Sequence, residues 1–140
     1  MVKNTSLWFL SGLIWYRNWR NRLYFNSIKY MILVISKKAT KEEIGKMAQD
    51  FEGYVKVVVD IDKEILAGGG KRHADAEQTL LENGSRQDNL WGGGLDLETK
   101  EIDYNSIINL RPTQNNPSRD ILSENIRKKF DTIVKKLLSV

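Results

Sequence analysis

Apolar residues after position 30 recur with the periods of strands and helices. The run 31–35 (MILVI) is continuously apolar and has the length of a buried strand. Thr40 precedes Glu43 by three residues, which is the spacing of a helix capping box. Apolar residues then recur at helical spacing, at Ile44, Met47, Ala48 and Phe51. We therefore expect a strand at 31–35 and a helix that begins after Thr40.

The middle of the chain predicts a hairpin followed by a second helix. Residues 54–61 (YVKVVVDI) are rich in β-branched side chains, and the polar residues 62–64 indicate a turn. Residues 65–67 then return antiparallel to this strand. Three glycines at 68–70 interrupt the returning strand, and a helix follows over 73–82, where an Asn-Gly pair ends it.

The last third of the chain predicts short strands and one long amphipathic helix. Strands are indicated near 90–91, at 102–104 and at 107–110, before a polar loop at 112–120 that holds both prolines. The final helix begins near Ser123. Its apolar stripe comprises Ile126, Phe130, Ile133, Val134, Leu137 and Leu138. The whole pattern predicts one small α+β domain, with a mixed, mostly antiparallel sheet covered by about three helices.

Composition removes several classes of chemistry. The 140 residues include no cysteine and one histidine, His73. Disulfides, cysteine-based zinc sites, a thiol nucleophile and multi-histidine metal motifs are therefore excluded. No spacing of the carboxylates indicates a metal site either. The lack of cysteine is typical of a reducing compartment, and we expect a cytoplasmic protein.

The net charge of +4 is unevenly distributed along the chain. Residues 1–30 carry five basic and no acidic side chains, whereas residues 31–140 carry 17 basic and 18 acidic ones. Eight of the 13 aromatic residues also lie in the first 30. The basic character therefore belongs to a leader, and nucleic acid is not the expected partner of the domain itself.

The leader allows several interpretations. Its apolar run over 7–16 is too short to cross a membrane, and no small-residue cleavage site follows it. A basic, aromatic anchor at a membrane surface would suit its composition if the leader is native. We favour the interpretation that residues 1–30 are no part of the fold. A second methionine, Met31, stands at the start of the first strand, as it would if translation began there. The domain prediction is accordingly a leader at 1–30 and a single domain at 31–140.

Two ionisable residues interrupt the apolar face of the predicted helix at 73–82. At about 100° per residue, His73 and Glu77 lie about 40° apart, within the arc that holds Ala76 and Leu80. A buried imidazole or carboxylate requires a partner or water. The two side chains are therefore either a structural pair or part of a cleft, with His73 as an acid or base and Glu77 setting its tautomer.

Other polar residues could face the same place. In the strand that follows residue 53, alternation puts Lys56 and Asp60 on one face, and in the predicted strand at 107–110 it puts Asn109 on the same face as Arg111. If these strands are neighbours under the second helix, six side chains could converge on one pocket. They are Lys56, Asp60, His73, Glu77, Asn109 and Arg111.

Both glycine runs have a functional and a structural interpretation. The first lacks the residues of a phosphate-binding P-loop. Gly69, Gly70 and Lys71 still precede a helix N-terminus, an arrangement that can bind an anion, although a tight turn explains the glycines equally well. Trp91, before the second run, is either an exposed aromatic platform or a core residue.

The stretch VKVVVDIDKEILAGGGKRHADAEQTLLENGSRQDNLWGG and the later INLRPTQNN resemble a family of short prokaryotic proteins known only as a domain of unknown function. The resemblance covers about residues 31–140. It implies a compact, free-standing cytosolic domain, and it assigns no activity, cofactor or site.

Two functions follow as hypotheses. The first is a pocket for a small anionic or phosphate ligand, whose enzymatic form is a hydrolase with catalytic His73, Glu77 and Asp60. Gly69, Gly70, Lys71 and Arg111 would bind the anion. The alternative is a non-enzymatic binding module for a protein or nucleic acid, with Trp91, Arg86 and the loop at 111–119 as its contact surface.

Overall fold

The computed structural model describes residues 5–10, 13–18, 23–26 and 31–140, and within them it has an α+β fold. Its strands are β1 Thr5–Leu10, β2 Leu13–Asn18, β3 Leu23–Asn26, β4 Met31–Ile35, β5 Tyr54–Asp60, β6 Ile65–Gly69, β7 Leu90–Asp96 and β8 Ile102–Asp103. Its helices are α1 Lys41–Met47, α2 His73–Glu82 and α3 Glu124–Leu138. The fold class and the helix count expected for residues 31–140 are confirmed.

All strand pairs in the described residues are antiparallel. The strand order is β1-β2-β3-β4-β6-β5-β7-β8, of which the five strands β4 to β8 belong to residues 31–140. The predicted hairpin is present, since Val57 to Asp60 pair with Gly68 to Ile65. β3 joins the sheet beside β4, with Tyr24 opposite Leu33. The prediction that residues 1–30 are no part of the fold stays a prediction.

Helices cover both faces of the sheet because the central strand β5 is apolar on both sides. Val55, Val57 and Val59 are fully buried in a cluster with residues of α1 and α3. Val58 points to the opposite face, where it packs with Ala76 and Leu80 of α2. The side chains next to Val58 on its face are polar, and they position the site described below.

The two predicted helix starts at Thr40 and Ser123 are confirmed in atomic detail. Thr40 accepts a hydrogen bond from the Glu43 amide, and the Glu43 carboxylate accepts one from the Thr40 amide. The Ser123 hydroxyl accepts a hydrogen bond from the Ile126 amide at the start of α3. No helix in the described part of the chain is both long and apolar enough to cross a membrane.

The predicted strand at 107–110 is wrong, since residues Ile107–Asn109 form a 3-10 helix. The Ser106 hydroxyl caps this turn by accepting a hydrogen bond from the Ile108 amide. Asn109 then turns inward and is fully buried, while Ile107 is exposed. A local side-chain to backbone bond has overridden the strand propensity of the two isoleucines.

The second glycine run lies inside β7, not in a loop. A Cβ atom on Gly92 would come within 2.6 Å of the Ser106 Cβ, and one on Gly94 would overlap the Tyr54 hydroxyl. A Cβ on Gly93 would overlap the Asp103 carbonyl from the other face. These glycines therefore let side chains from neighbouring segments lie directly on the backbone of β7.

Asn109 fastens the irregular segment after β8 to β7. Its Oδ1 accepts a hydrogen bond from the Gly92 amide at 2.8 Å, and its Nδ2 donates to the Gly92 carbonyl at 2.9 Å. The same Nδ2 also donates to the carbonyls of Tyr104 and Arg119. One side chain thus satisfies backbone groups of three segments.

We predict that residues 31–140 unfold as one cooperative unit without the leader. The three described helices and the five strands β4 to β8 lie within residues 31–140, as do the buried residues that pack between them. The measurement is thermal and urea unfolding of the truncated protein beside the full chain. A broad, non-cooperative transition, or a midpoint many degrees lower, would contradict the domain boundary.

Replacing Asn109 with Ala should destabilise the fold by about 3 kcal/mol, because each buried backbone group left unpaired costs about 1–3 kcal/mol. Urea unfolding measures the loss. Asn125→Ala is the matched control, since Asn125 is exposed on α3 and its loss should change stability by less than about 0.5 kcal/mol. Equal stability of the two variants would show that Asn109 does not hold β7.

Candidate functional site

A polar pocket of about 300 Å³ opens near the N-terminus of α2. Its walls come from β5, α2, β8 and the irregular segments after β8. The lining residues are Tyr54, Lys56, His73, Asp103, Asn105, Ser106 and Arg119. Of the residues proposed from the sequence, His73 and Lys56 therefore lie together in one pocket.

His73 lies at the inner wall of this pocket and is 9% exposed. Its Nε2 lies 2.6 Å from the Gly93 carbonyl oxygen, which can only accept, so Nε2 carries the hydrogen. In the neutral ring Nδ1 then holds the lone pair. Nδ1 has no hydrogen-bond partner among the described residues. It is also absent from the fully buried side-chain atoms that lack a partner there, so it is accessible to solvent. A basic nitrogen is thus available to the pocket.

Two cations flank this imidazole. The Lys56 ammonium donates to the Lys71 carbonyl at 2.7 Å and lies 5.0 Å from the centre of the Phe51 ring. Arg119 is exposed at the rim, and its side chain has no acidic partner among the described residues. Burial lowers the pKa of His73, and Lys56 and Arg119 lower it further, against the Gly93 hydrogen bond and Asp103. The ring is therefore neutral at physiological pH.

Tyr54 and Asp103 form the remaining wall. The Tyr54 hydroxyl donates to Oδ2 of Asp103 at 2.5 Å, and the Asn105 amide donates to Oδ1 at 3.1 Å. Burial and the neighbouring Asp103 raise the pKa of Tyr54 well above its ordinary value. Tyr54 therefore keeps its proton and directs it at the Asp103 carboxyl group.

Asp60 lies at the far end of β5 and is 1% exposed. It is four residues, or roughly 13 Å, from Lys56 along the strand. Its carboxylate accepts hydrogen bonds from the amides of Asp62 and Lys63 and from the Ser85 hydroxyl. These contacts close the β5–β6 turn, so the structure gives Asp60 a structural position outside the pocket.

Arg111 is likewise occupied by structural contacts. It donates to the carbonyls of Ile108, Gln87 and Leu90, and its guanidinium lies 4.5 Å from the centre of the Trp91 ring. Trp91 is 1% exposed, so its core interpretation is confirmed. Asn109 binds β7, as described above. None of these three residues lines the pocket beside His73.

Glu77 faces a different set of neighbours from His73. Burial raises the pKa of Glu77, while Arg111 and a hydrogen bond from Gln87 oppose that shift. Its Oε2 is buried without a hydrogen-bond partner among the described residues. No hydrogen bond joins Glu77 to His73 there. His73 therefore lines the pocket, whereas Glu77 lies near Arg111 and Gln87.

The first glycine run makes a turn beside the pocket. Gly69 and Gly70 have φ values of 102° and 77°, which L side chains rarely adopt. They carry the chain from β6 to Lys71, whose carbonyl receives the Lys56 ammonium. The described part of the pocket is lined by neither glycine nor by Lys71. The run thus positions Lys56 through a backbone carbonyl.

Four lining residues were not proposed from the sequence, and the fifth, Arg119, was proposed only as the end of the loop at 111–119 in the alternative interpretation. Tyr54 could have been found, because strand alternation puts it on the same face as Lys56. Asp103 and Arg119 carried no such signal, since they precede and follow irregular turns. Asn105 and Ser106 join them through the bridge between Asn105 and Asp120.

We predict that His73 makes the stability of the protein depend on pH. Since its pKa is lower in the folded than in the unfolded state, stability is complete above about pH 6.5 and falls as the pH decreases through that value. Urea unfolding of wild type and His73→Gln at several pH values checks this. The variant should lose less stability on acidification, and parallel pH profiles would contradict the shift.

Comparison with known proteins identifies the family of the chain but gives no information about its chemistry. Among the described residues, no group of three His, Asp or Glu side chains could hold a metal ion. No curated protein and no solved structure matches the chain. Residues 33–137 match a family model described as "Protein of unknown function (DUF5674)", which confirms the resemblance to a family of unknown function. Because the match covers most of its length, the chain belongs to the DUF5674 family.

Proposed function

We propose that the protein binds a small phosphate-bearing anion in the pocket beside His73. The observation that carries the proposal is the combination of two cations with a neutral imidazole around about 300 Å³ of space. Lys56 and Arg119 supply two positive charges against the single carboxylate of Asp103. An anion would therefore gain electrostatic stabilisation and charge-assisted hydrogen bonds on entering.

The unpartnered Nδ1 of His73 gives the pocket a chemical function besides charge. It can accept a hydrogen from a hydroxyl group of the ligand or from a singly protonated phosphate. A hydrolase that acts on phosphate-bearing molecules is the enzymatic form of the proposal, with His73 as the reactive group. The predicted cytoplasmic location belongs to the same proposal.

The size and charge of the site favour a small ligand over a macromolecule. Residues 31–140 carry one more acidic than basic residue, and a nucleic-acid interface normally has a basic face. The alternative binding module would use Trp91, Arg86 and the loop at 111–119. Trp91 is buried, and Arg86 pairs with Asp88 at 3.9 Å. No observation therefore favours that alternative.

The proposal predicts that phosphate binds and shifts the ring resonances of His73. Because the chain has one histidine, nitrogen-correlated NMR of the imidazole reports on this site alone. Titration with inorganic phosphate and with glycerol phosphate should move the Nδ1 signal. Arg119→Gln and Lys56→Gln should each weaken binding about tenfold, the effect of losing about 1.4 kcal/mol.

Lys63→Gln is the matched control for Lys56→Gln. Lys63 also donates to a backbone carbonyl, that of Gly84 at 2.8 Å, but it does not line the pocket. Its replacement should leave the affinity for phosphate unchanged. The proposal fails if phosphate leaves the His73 signals unmoved, or if all three variants bind phosphate as tightly as the wild type.

A further inference from the structure

The orientation of His73 suits a nucleophile as well as a base. The side chain is anchored through Nε2–H to the Gly93 carbonyl at 2.6 Å, so the ring cannot turn freely. Nδ1 is left with a lone pair and no hydrogen-bond partner in the described part of the chain. A neutral imidazole nitrogen held in this way can attack an electrophilic centre without first losing a proton.

The neighbours of His73 fit attack on phosphorus. Lys56 and Arg119 line the same pocket as His73, so their charges lie close to the imidazole. Cations in that position offset the negative charge of phosphoryl oxygens, the main barrier to nucleophilic attack on a phosphate. The Gly93 carbonyl accepts the Nε2 hydrogen, so it also stabilises the positive charge that the ring acquires on bonding to phosphorus.

Two groups that could protonate a leaving group in this pocket are already engaged. The Tyr54 hydroxyl directs its hydrogen to Asp103, and the Lys56 ammonium donates to the Lys71 carbonyl. An alkoxide would leave such a site poorly. A carboxylate leaves without a proton, so the chemistry favours a mixed anhydride of phosphate and a carboxylic acid.

We propose that His73 accepts a phosphoryl group on Nδ1 from an acyl phosphate bound between Lys56 and Arg119. The Nδ1 lone pair forms the bond to phosphorus, and the bond between phosphorus and the acyl oxygen breaks to release a carboxylate. Water then attacks phosphorus, the nitrogen–phosphorus bond breaks, and its electron pair returns to Nδ1, while both hydrogens of the water leave with the phosphate. The products are a carboxylate and dihydrogen phosphate, with His73 regenerated in its neutral form. This inference rests on the proposed function.

Acetyl phosphate is the probe, applied to the full chain. Phosphorus NMR and intact mass should show one added phosphoryl group on the wild type, removed by acid and stable to alkali, as is typical of phosphohistidine. Fragment mass spectrometry should place it at His73. The group should be absent from His73→Gln, and its rate of formation should fall at least tenfold in Arg119→Gln and stay unchanged in Lys63→Gln.

The competing acceptors that line the pocket are Ser106, Asp103, Tyr54 and Lys56. Lability separates His73 from the first three, and fragment mass spectrometry separates it from Lys56. A label on Ser106 would survive acid and be lost in alkali, and it would overturn the assignment to His73. A label of equal amount on His73→Gln would do the same. Because fragment mass spectrometry locates the label in the wild type itself, misfolding of the variant does not remove the test.

The outcomes also separate this inference from the function on which it rests. If inorganic phosphate shifts the His73 signals but acetyl phosphate leaves no label and is not hydrolysed faster than in buffer, the pocket binds anions and the phosphoryl transfer is wrong. If phosphate does not bind and no label forms, both proposals are wrong. Labelling of His73 with the expected effect of Arg119→Gln supports both.

Discussion

The rest of the site depends on one constraint, which is that β7 carries no side chains at Gly92, Gly93 and Gly94. Three consecutive glycines let Ser106, Tyr54 and the Asp103 backbone approach closer than a Cβ atom would permit. The Gly93 carbonyl can then accept the hydrogen of His73, which fixes the tautomer of the ring. A side chain at Gly92 or Gly94 would displace the walls of the pocket. The composition of one strand therefore determines the shape and the chemistry of a site that it does not line.

The charge around His73 links any ligand to protonation. Burial, together with Lys56 and Arg119, favours the neutral imidazole. An anion between those cations would offset part of their field, so the pKa of His73 would rise in the complex. Binding and proton uptake are then coupled, because each favours the other. The affinity of the site for an anion would accordingly increase as the pH falls through the pKa of the bound form toward that of the free form.

Elements with a local cause could be predicted from the sequence, and those with a distant cause could not. The capping box at Thr40 and the alternation of β5 depend on neighbours in the chain, so pattern analysis found both. The turn at Ile107–Asn109 has a local cap at Ser106, but its place in the fold depends on β7, which Asn109 reaches across 17 positions. His73 and Glu77 share a helical face, yet their partners come from different segments beyond that helix. A single sequence cannot assign such partners, because periodicity describes one element at a time.

The segment that contains Arg119 is held in place by hydrogen bonds to neighbouring segments. The Arg119 carbonyl accepts hydrogen bonds from the Ser106 amide and from Asn109, and Asn105 donates to the Asp120 carboxylate next to it. The backbone of the rim therefore cannot swing outward as a lid without breaking these bonds and loosening β7. A ligand has to enter through the open mouth of a preformed site. Little conformational entropy is then lost on binding, and the rate of exchange is set by diffusion and by the side chain of Arg119, not by movement of the loop.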